Sequence, residues 1–171
     1  MENKQVQPWQ QYQALYLHIP FCVQKCLYCD FASYAGFGEQ VKREYTDAVC
    51  KEIALRADEA ANMAANASIY FGGGTPTSLP AEDIDAILCK LEQLFDTKNA
   101  LEFTVEAGRP DSITEEKLKV LASHGISRIS INPQTMNQKT LDLIGRRHTV
   151  ENVKEKFHIA RELGFDNINM D

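Results

Sequence analysis

The sequence predicts an α/β fold in which about five parallel strands alternate with helices around a polar concavity. Three observations predict it. Strand-like and helix-like runs alternate strictly along the chain, in units of roughly 30 residues. The strand runs are apolar on one face and polar on the other. Every connection between strands is long enough to hold a helix, as parallel pairing requires and an antiparallel meander does not.

Taken in order, residues 15–19 form the first strand, alternating Leu15, Leu17 and Ile19 with Tyr16 and His18. A helix over 41–61 follows, with Val41, Tyr45, Ala48, Val49 and Ile53 on one face. Residues 68–71 are the second strand, ended by Gly72, Gly73 and Gly74. Pro80 precedes a helix over 81–95 whose Ile84, Ile87, Leu88, Leu91 and Leu94 recur at helical spacing. The third strand, 101–106, sets Phe103 and Val105 against Glu102, Thr104 and Glu106. Thr114 caps a helix that Gly125 stops. The fourth strand is 128–131. Asn137 and Gly145 bracket a short helix, and Thr149 and Gly164 bracket a longer one. Residues 167–170 are the fifth strand.

A parallel strand covered on both faces reads as apolar throughout. A filled TIM barrel packs its interior with Val, Ile and Leu. These strands fit neither pattern. Their apolar face packs on helices and their polar face lines a wet, ligand-holding concavity.

Composition sets bounds. The 171 residues are 44% hydrophobic and 25% charged, which is ordinary for one globular unit with a real core. A net charge of −6 argues against a basic nucleic-acid surface, and no nucleic-acid partner is expected. No apolar run approaches the ~18 residues of a transmembrane helix. The polar start lacks a signal-peptide core. Reduced thiols point to the cytoplasm.

The densest chemical signal is Cys22-Val-Gln-Lys-Cys26-Leu-Tyr-Cys29, a C-x3-C-x2-C run just past the first strand. A cubane iron–sulfur cluster takes one ligand per iron, so three thiolates leave one iron an open position for chemistry. The alternative is a zinc site completed by His18, but zinc knuckles favour paired C-x2-C arms and one arm here is stretched. Five cysteines without a secretory signal argue against a disulfide framework. The second signal is Gly72-Gly-Gly-Thr-Pro-Thr77 directly after a strand. Consecutive glycines let backbone N–H groups approach a ligand closely. The run lacks the Gly-Lys-Ser/Thr end of a P-loop, and alone it is equally a tight turn.

Together, Tyr16-Leu-His-Ile-Pro-Phe-Cys22, the cysteine run and the glycine run resemble the radical S-adenosylmethionine (SAM) superfamily, and within it the oxygen-independent coproporphyrinogen III oxidase family. The resemblance covers residues 15–171, with 1–14 as an N-terminal extension. It implies a partial parallel (β/α) barrel of the radical SAM type, truncated after about five strands. It implies a [4Fe–4S] cluster on Cys22, Cys26 and Cys29, with S-adenosylmethionine chelating the open iron and cleaved to a 5′-deoxyadenosyl radical. By position, Tyr16, Gly73 and Glu106 match the site of a first S-adenosylmethionine. Tyr28, Gly74, Thr75, Gln134, Arg146 and Asp171 match the site of a second. The implied activity is oxidative decarboxylation of coproporphyrinogen III in haem biosynthesis, with an electron donor such as flavodoxin or ferredoxin. The alternative is a HemW-like haem chaperone that binds and transfers haem without oxidase activity. Asp30-Phe31 after the last cysteine fits the chaperone branch. The segments 104–111, 129–134 and 144–148 fit a coproporphyrinogen dehydrogenase-like branch.

Simpler roles stand beside these. Glu106 can pair with Arg109 or Arg128, and Asp171 can fray as a terminal residue. His18 can be a satisfied structural histidine. Cys50 and Cys89 read as small buried residues on helices. His124, His148 and His158 lack metal spacing. Arg109, Arg146 and Arg147 can bind propionates or simply lie on the surface. The family's barrel continues to a sixth strand and a further domain, so this chain is expected to be incomplete, open-edged and unable by itself to turn over coproporphyrinogen.

Overall fold

A computed structural model describes residues 11–171; the polar first ten residues, including most of the expected extension, lie outside the described residues. The strands are β1 (Tyr12–Ile19), β2 (Phe21–Cys22), β3 (Tyr34–Ala35), β4 (Met63–Gly73), β5 (Phe103–Glu106), β6 (Arg128–Ser130) and β7 (Ile168–Asn169). The helices are α1 (Glu39–Leu55), α2 (Ala81–Leu94), α3 (Glu115–Ser123), α4 (Gln138–Leu143) and α5 (Val150–Glu162). Five strands form one sheet in the order β1-β4-β5-β6-β7, every pair parallel. Sequential order with helical crossovers is the winding of a barrel wall, without the order reversal of a doubly wound sheet.

The register explains the two-faced strands. Leu17, Phe71, Val105, Ile129 and Ile168 are partners in turn across all five strands. The first four are buried and form the apolar row beneath the helices. One residue earlier, Tyr16, Tyr70, Thr104 and Arg128 align on the opposite, polar face. That face is less wet than expected. Thr104 and Ser130 are buried, and the Thr104 hydroxyl donates to Glu102 at 2.7 Å.

α2 buries Ile84, Ile87, Leu88 and Leu91, as its spacing foretells. Thr114, Asn137 and Thr149 each accept a backbone N–H from the first turn of α3, α4 and α5, so these three caps work as expected.

Several expectations need correction. β1 and β4 start at Tyr12 and Met63 and pair there, across a bulge between Tyr12 and Ala14. Both strands thus extend beyond their apolar alternation. On α1, Val41 and Ala48 are exposed; the packed stripe is Thr46, Val49, Cys50 and Ile53 beside Tyr45. α1 also ends at Leu55, and 57–62 tighten into a 3₁₀ turn. Past Ile53 its inner positions offer only small alanines such as Ala57 and Ala60, too little apolar surface to hold a helix on the sheet. Cys89 is exposed rather than buried. It meets Asp85 and His124, whose ligand atoms all lie within 4.8 Å of one another, so His124 does have the neighbours its sequence spacing seemed to deny. Among the described residues no helix is long and apolar enough to cross a membrane.

Candidate functional site

The site lies at the C-terminal ends of β1, β4 and β5, where parallel barrels gather their chemistry. Its first wall is the loop after β1. Phe21 anchors this loop, buried edge-on against Tyr45 and Phe37. The short β2–β3 ladder, not foreseen from sequence, closes its base. The glycine run is stitched to it: Gly74 N–H donates to Ile19 O at 2.7 Å and Thr75 N–H to Phe21 O at 2.8 Å. The two motifs noted separately in the sequence therefore form one rim.

Cys22, Cys26 and Cys29 are free thiols, half-buried, and all line one cavity of about 230 Å³. They are not among the side chains converging within 4.8 Å of one another, as ligands of a single ion must. A cubane spreads its thiolates over separate irons and tolerates wider spacing. The cysteine set fits a cluster better than a zinc ion.

The glycines are needed because there is no room. A Cβ on Gly73 would lie 2.8 Å from the His18 ring and 2.9 Å from Ile19 O, and φ is +112° there. A Cβ on Gly74 would lie 2.7 Å from Phe21 O and 3.1 Å from Cys22 Sγ. Thr75 is buried with its hydroxyl 3.4 Å from Cys22 Sγ.

Glu106 accepts from the Tyr70 hydroxyl at 2.5 Å and from Gly73 N–H at 3.2 Å. The simple ion pairs considered for it go elsewhere, since Arg128 binds Glu102 and Arg109 binds Asp111. Burial, the bond to Glu106 and its charge push the Tyr70 phenol well up, so Tyr70 stays a donor. Tyr16 stacks on Tyr70 at 6.1 Å and its hydroxyl lies 2.9 Å from His18 Nδ1. His18 Nε2 lies 2.9 Å from Ala32 O. A carbonyl only accepts, so Nε2 carries the proton and Nδ1 accepts from Tyr16. His18 is a satisfied structural histidine that orients Tyr16 and packs over Gly73. Tyr16 itself does not line the cysteine cavity; it forms the adjoining layer and is 52% exposed.

The far wall joins Tyr28, Gln134, Arg146 and Asp171. The Tyr28 hydroxyl donates to Gln134 Oε1 and accepts from Arg146 Nη2 at 3.2 Å. Asp171 accepts from Gln134 through both the backbone N–H, at 2.9 Å, and the side-chain amide. Asp171 is thus held, though exposed, and reaches the cavity through Gln134. Gln134 has φ of 65°, the one positive value on a non-glycine among the described residues. Such strain marks a position fixed by its surroundings. His148 helps fix it: burial pushes its pKa down, leaving a neutral ring whose Nε2–H donates to Pro133 O at 3.2 Å.

Gln24 Oε1, Ser33 Oγ, Arg109 Nη2, Asn132 Oδ1 and Arg146 Nε are buried without a protein partner, and all five residues line the cysteine cavity. Unpaired buried polar atoms are costly and uncommon. Gathered at one cavity, the arginine and serine donors fit a carboxylate or a sulfide-bearing cluster, and the two amide oxygens fit a donor such as an ammonium. A larger groove of about 400 Å³ beside β1 and α1 lacks both the cysteines and these atoms. Arg109 and Arg146, allowed above to be surface residues, are buried. Sequence reading missed Gln24, Tyr70, Asn132 and the placement of Arg109. Their signal was position: each follows a motif cysteine or sits at a strand's C-terminal end.

The chain matches the Radical SAM superfamily over residues 16–171. It is 47% identical over 166 residues to the oxygen-independent coproporphyrinogen-III oxidase-like protein HemZ of Bacillus subtilis, an alignment covering 92% of this chain and 32% of that protein. It is 38% identical to the heme chaperone HemW of the same organism, covering 93% and 41%. Among solved structures, the radical SAM coproporphyrinogen III oxidase HemN of Escherichia coli superposes with a TM-score of 0.84 at 30% identity, covering 97% of this chain and 38% of that one. The chain spans less than half the length of these relatives. Members of the superfamily bind a [4Fe–4S] cluster and S-adenosylmethionine, a pairing that suits this rim of cysteines, glycines and unpaired donors. The chain belongs to the radical SAM superfamily, in the oxygen-independent coproporphyrinogen III oxidase family.

Proposed function

We propose that this chain is the S-adenosylmethionine-cleaving part of an oxidoreductase that oxidatively decarboxylates coproporphyrinogen III in haem biosynthesis. The observation that carries the reading is the joined rim: three cysteines, a glycine run and Glu106 around one cavity with unpaired donors and acceptors. The core spans 15–171 and works in the cytoplasm, with an electron donor such as flavodoxin or ferredoxin.

A bound cluster supplies the electron for reductive cleavage of S-adenosylmethionine. The chain's own residues hold and orient. Cys22, Cys26 and Cys29 would hold the cluster. Gly73 and Gly74 admit a cofactor to backbone distance. Glu106, held by Tyr70 and Gly73 N–H, offers its remaining lone pairs to the cofactor's ammonium. Tyr16 walls this side. Tyr28, Thr75, Gln134, Arg146 and Asp171 face a second cofactor molecule or a substrate carboxylate, for which Arg146 is the charge partner.

A second reading has its own support. Phe31, from the Asp30-Phe31 pair typical of the chaperone branch, is 60% exposed beside the cysteines, an apolar face suited to a haem plane. One experiment separates the two. Under anaerobic reduction, this chain reconstituted within the full length of its relatives should form 5′-deoxyadenosine and decarboxylated product when coproporphyrinogen III is present, which the 171-residue chain by itself is not expected to do. Stoichiometric haem binding without porphyrinogen-dependent product would favour the chaperone.

A further inference from the structure

Arg109 is the least expected residue of the cavity. It stands between Gly108 and Pro110 just past β5, and the proline holds it extended, at φ −132° and ψ 110°. Its side chain is 3% exposed. Nε donates to Asp111 Oδ1 at 3.3 Å, which fixes the guanidinium's rear edge. Nη1 donates to Gln24 O at 2.7 Å and points at Cys26 Sγ at 3.5 Å. Nη2 has no partner in the protein. A buried guanidinium with one long bond to a single carboxylate is under-compensated. Arg109 lines the same cavity as Cys22, Cys26 and Cys29, and its Nη1 is already within 3.5 Å of one of them.

We propose that Arg109 is a positioning residue that both ties down the cysteine loop and sets the cluster's reduction potential. Reduction adds one negative charge to the cluster. A fixed cation and N–H donors at the sulfurs stabilise that form more than the oxidised one, so Arg109 raises the potential. Its bond to Gln24 O, between Cys22 and Cys26, makes the same side chain a brace for the loop. The proposal rests on the cluster assignment above. Iron content and potential are therefore read separately.

The test uses anaerobically reconstituted native, Arg109→Gln and Arg109→Lys proteins, titrated with dithionite and followed by electron paramagnetic resonance. Gln keeps an amide donor for Gln24 O but loses the charge; Lys keeps the charge but loses the fork. With iron near the native count, the Gln variant should be about tenfold harder to reduce, ~59 mV more negative for a one-electron couple, and the Lys variant should fall between. A Gln variant with full iron and the native potential overturns the proposal. So does loss of the cluster from both variants, which would leave Arg109 a brace alone. Absence of iron from the native protein would instead strike the cluster assignment.

Discussion

Two polar clusters in this molecule look alike by composition and differ in one respect. On the outer helices, His124 sits between Asp85 and Glu92 of α2, with Nε2 at 2.9 Å and Nδ1 at 2.8 Å from a carboxylate oxygen, and Cys89 alongside. At the rim, three other cysteines meet Glu106, Arg109 and Arg146. The histidine of the outer cluster has both ring nitrogens bonded, so it reads as a clip between α2 and α3. The rim leaves Gln24, Arg109, Asn132 and Arg146 with unpaired buried atoms. Each such atom costs about 1–3 kcal/mol unless something binds it. Donor identity did not distinguish a structural cluster from a ligand site; satisfaction did.

The sharpest way to break this contrast is to remove one cysteine from each side. Native protein should take up about four irons and four sulfides per chain on anaerobic reconstitution. Cys26→Ala should abolish this, and Cys89→Ala should leave it untouched. Equal loss in both would show that thiols, not the rim, govern uptake. Next in size is Gly73→Ala. The added carbon collides with the His18 ring and Ile19 O in a backbone region closed to alanine. S-adenosylmethionine affinity should fall at least ~tenfold, about 1.4 kcal/mol, with iron content retained. Native affinity by equilibrium dialysis would remove the glycine run from the site.

Much of this was legible in the sequence, for physical reasons. Strand faces could be read because period-two alternation is strict in 15–19 and 103–106, and the row from Leu17 to Ile168 follows from it. Three helix caps could be read because Thr114, Asn137 and Thr149 act within one turn. Local rules did not reach long-range pairings. Nothing near Arg109 says that its guanidinium crosses to Gln24 and Cys26, and nothing near Cys89 says that α3 delivers a histidine to it. The bulged extension of β1 and β4 runs beyond the apolar alternation that marks a strand in sequence, so alternation alone does not reveal it.

A smaller effect sharpens the rim side. Glu106→Gln keeps an oxygen to accept from Tyr70 or Gly73 N–H but loses the charge offered to a cofactor ammonium. Charge-assisted bonds are roughly twice as strong as neutral ones, so affinity for S-adenosylmethionine should weaken several-fold, on the order of 1 kcal/mol, without loss of fold or iron. Unchanged affinity would take Glu106 out of the cofactor site.

The smallest expected effect tests the outer cluster, and its sign can be worked out. Burial pushes the His124 pKa down, but its bonds to Asp85 and Glu92 and their charges outweigh burial, and the net shift is upward. A histidine raised above its unfolded value of about 6.5 stabilises the fold fully below that pH. The contribution then fades as pH climbs through the raised folded value. Asp85 is half exposed and Glu92 a third exposed, so solvent screening holds the contribution to about 1 kcal/mol at most. The stability difference between native protein and His124→Gln, from urea unfolding, should therefore be largest near pH 5.5 and shrink through the alkaline range. It should also shrink in high salt. A difference that stays flat from pH 5.5 to 9 would mean the ring is held by packing alone. The outer cluster would then owe its stability to shape rather than to charge, and the contrast with the rim would narrow to its cavity.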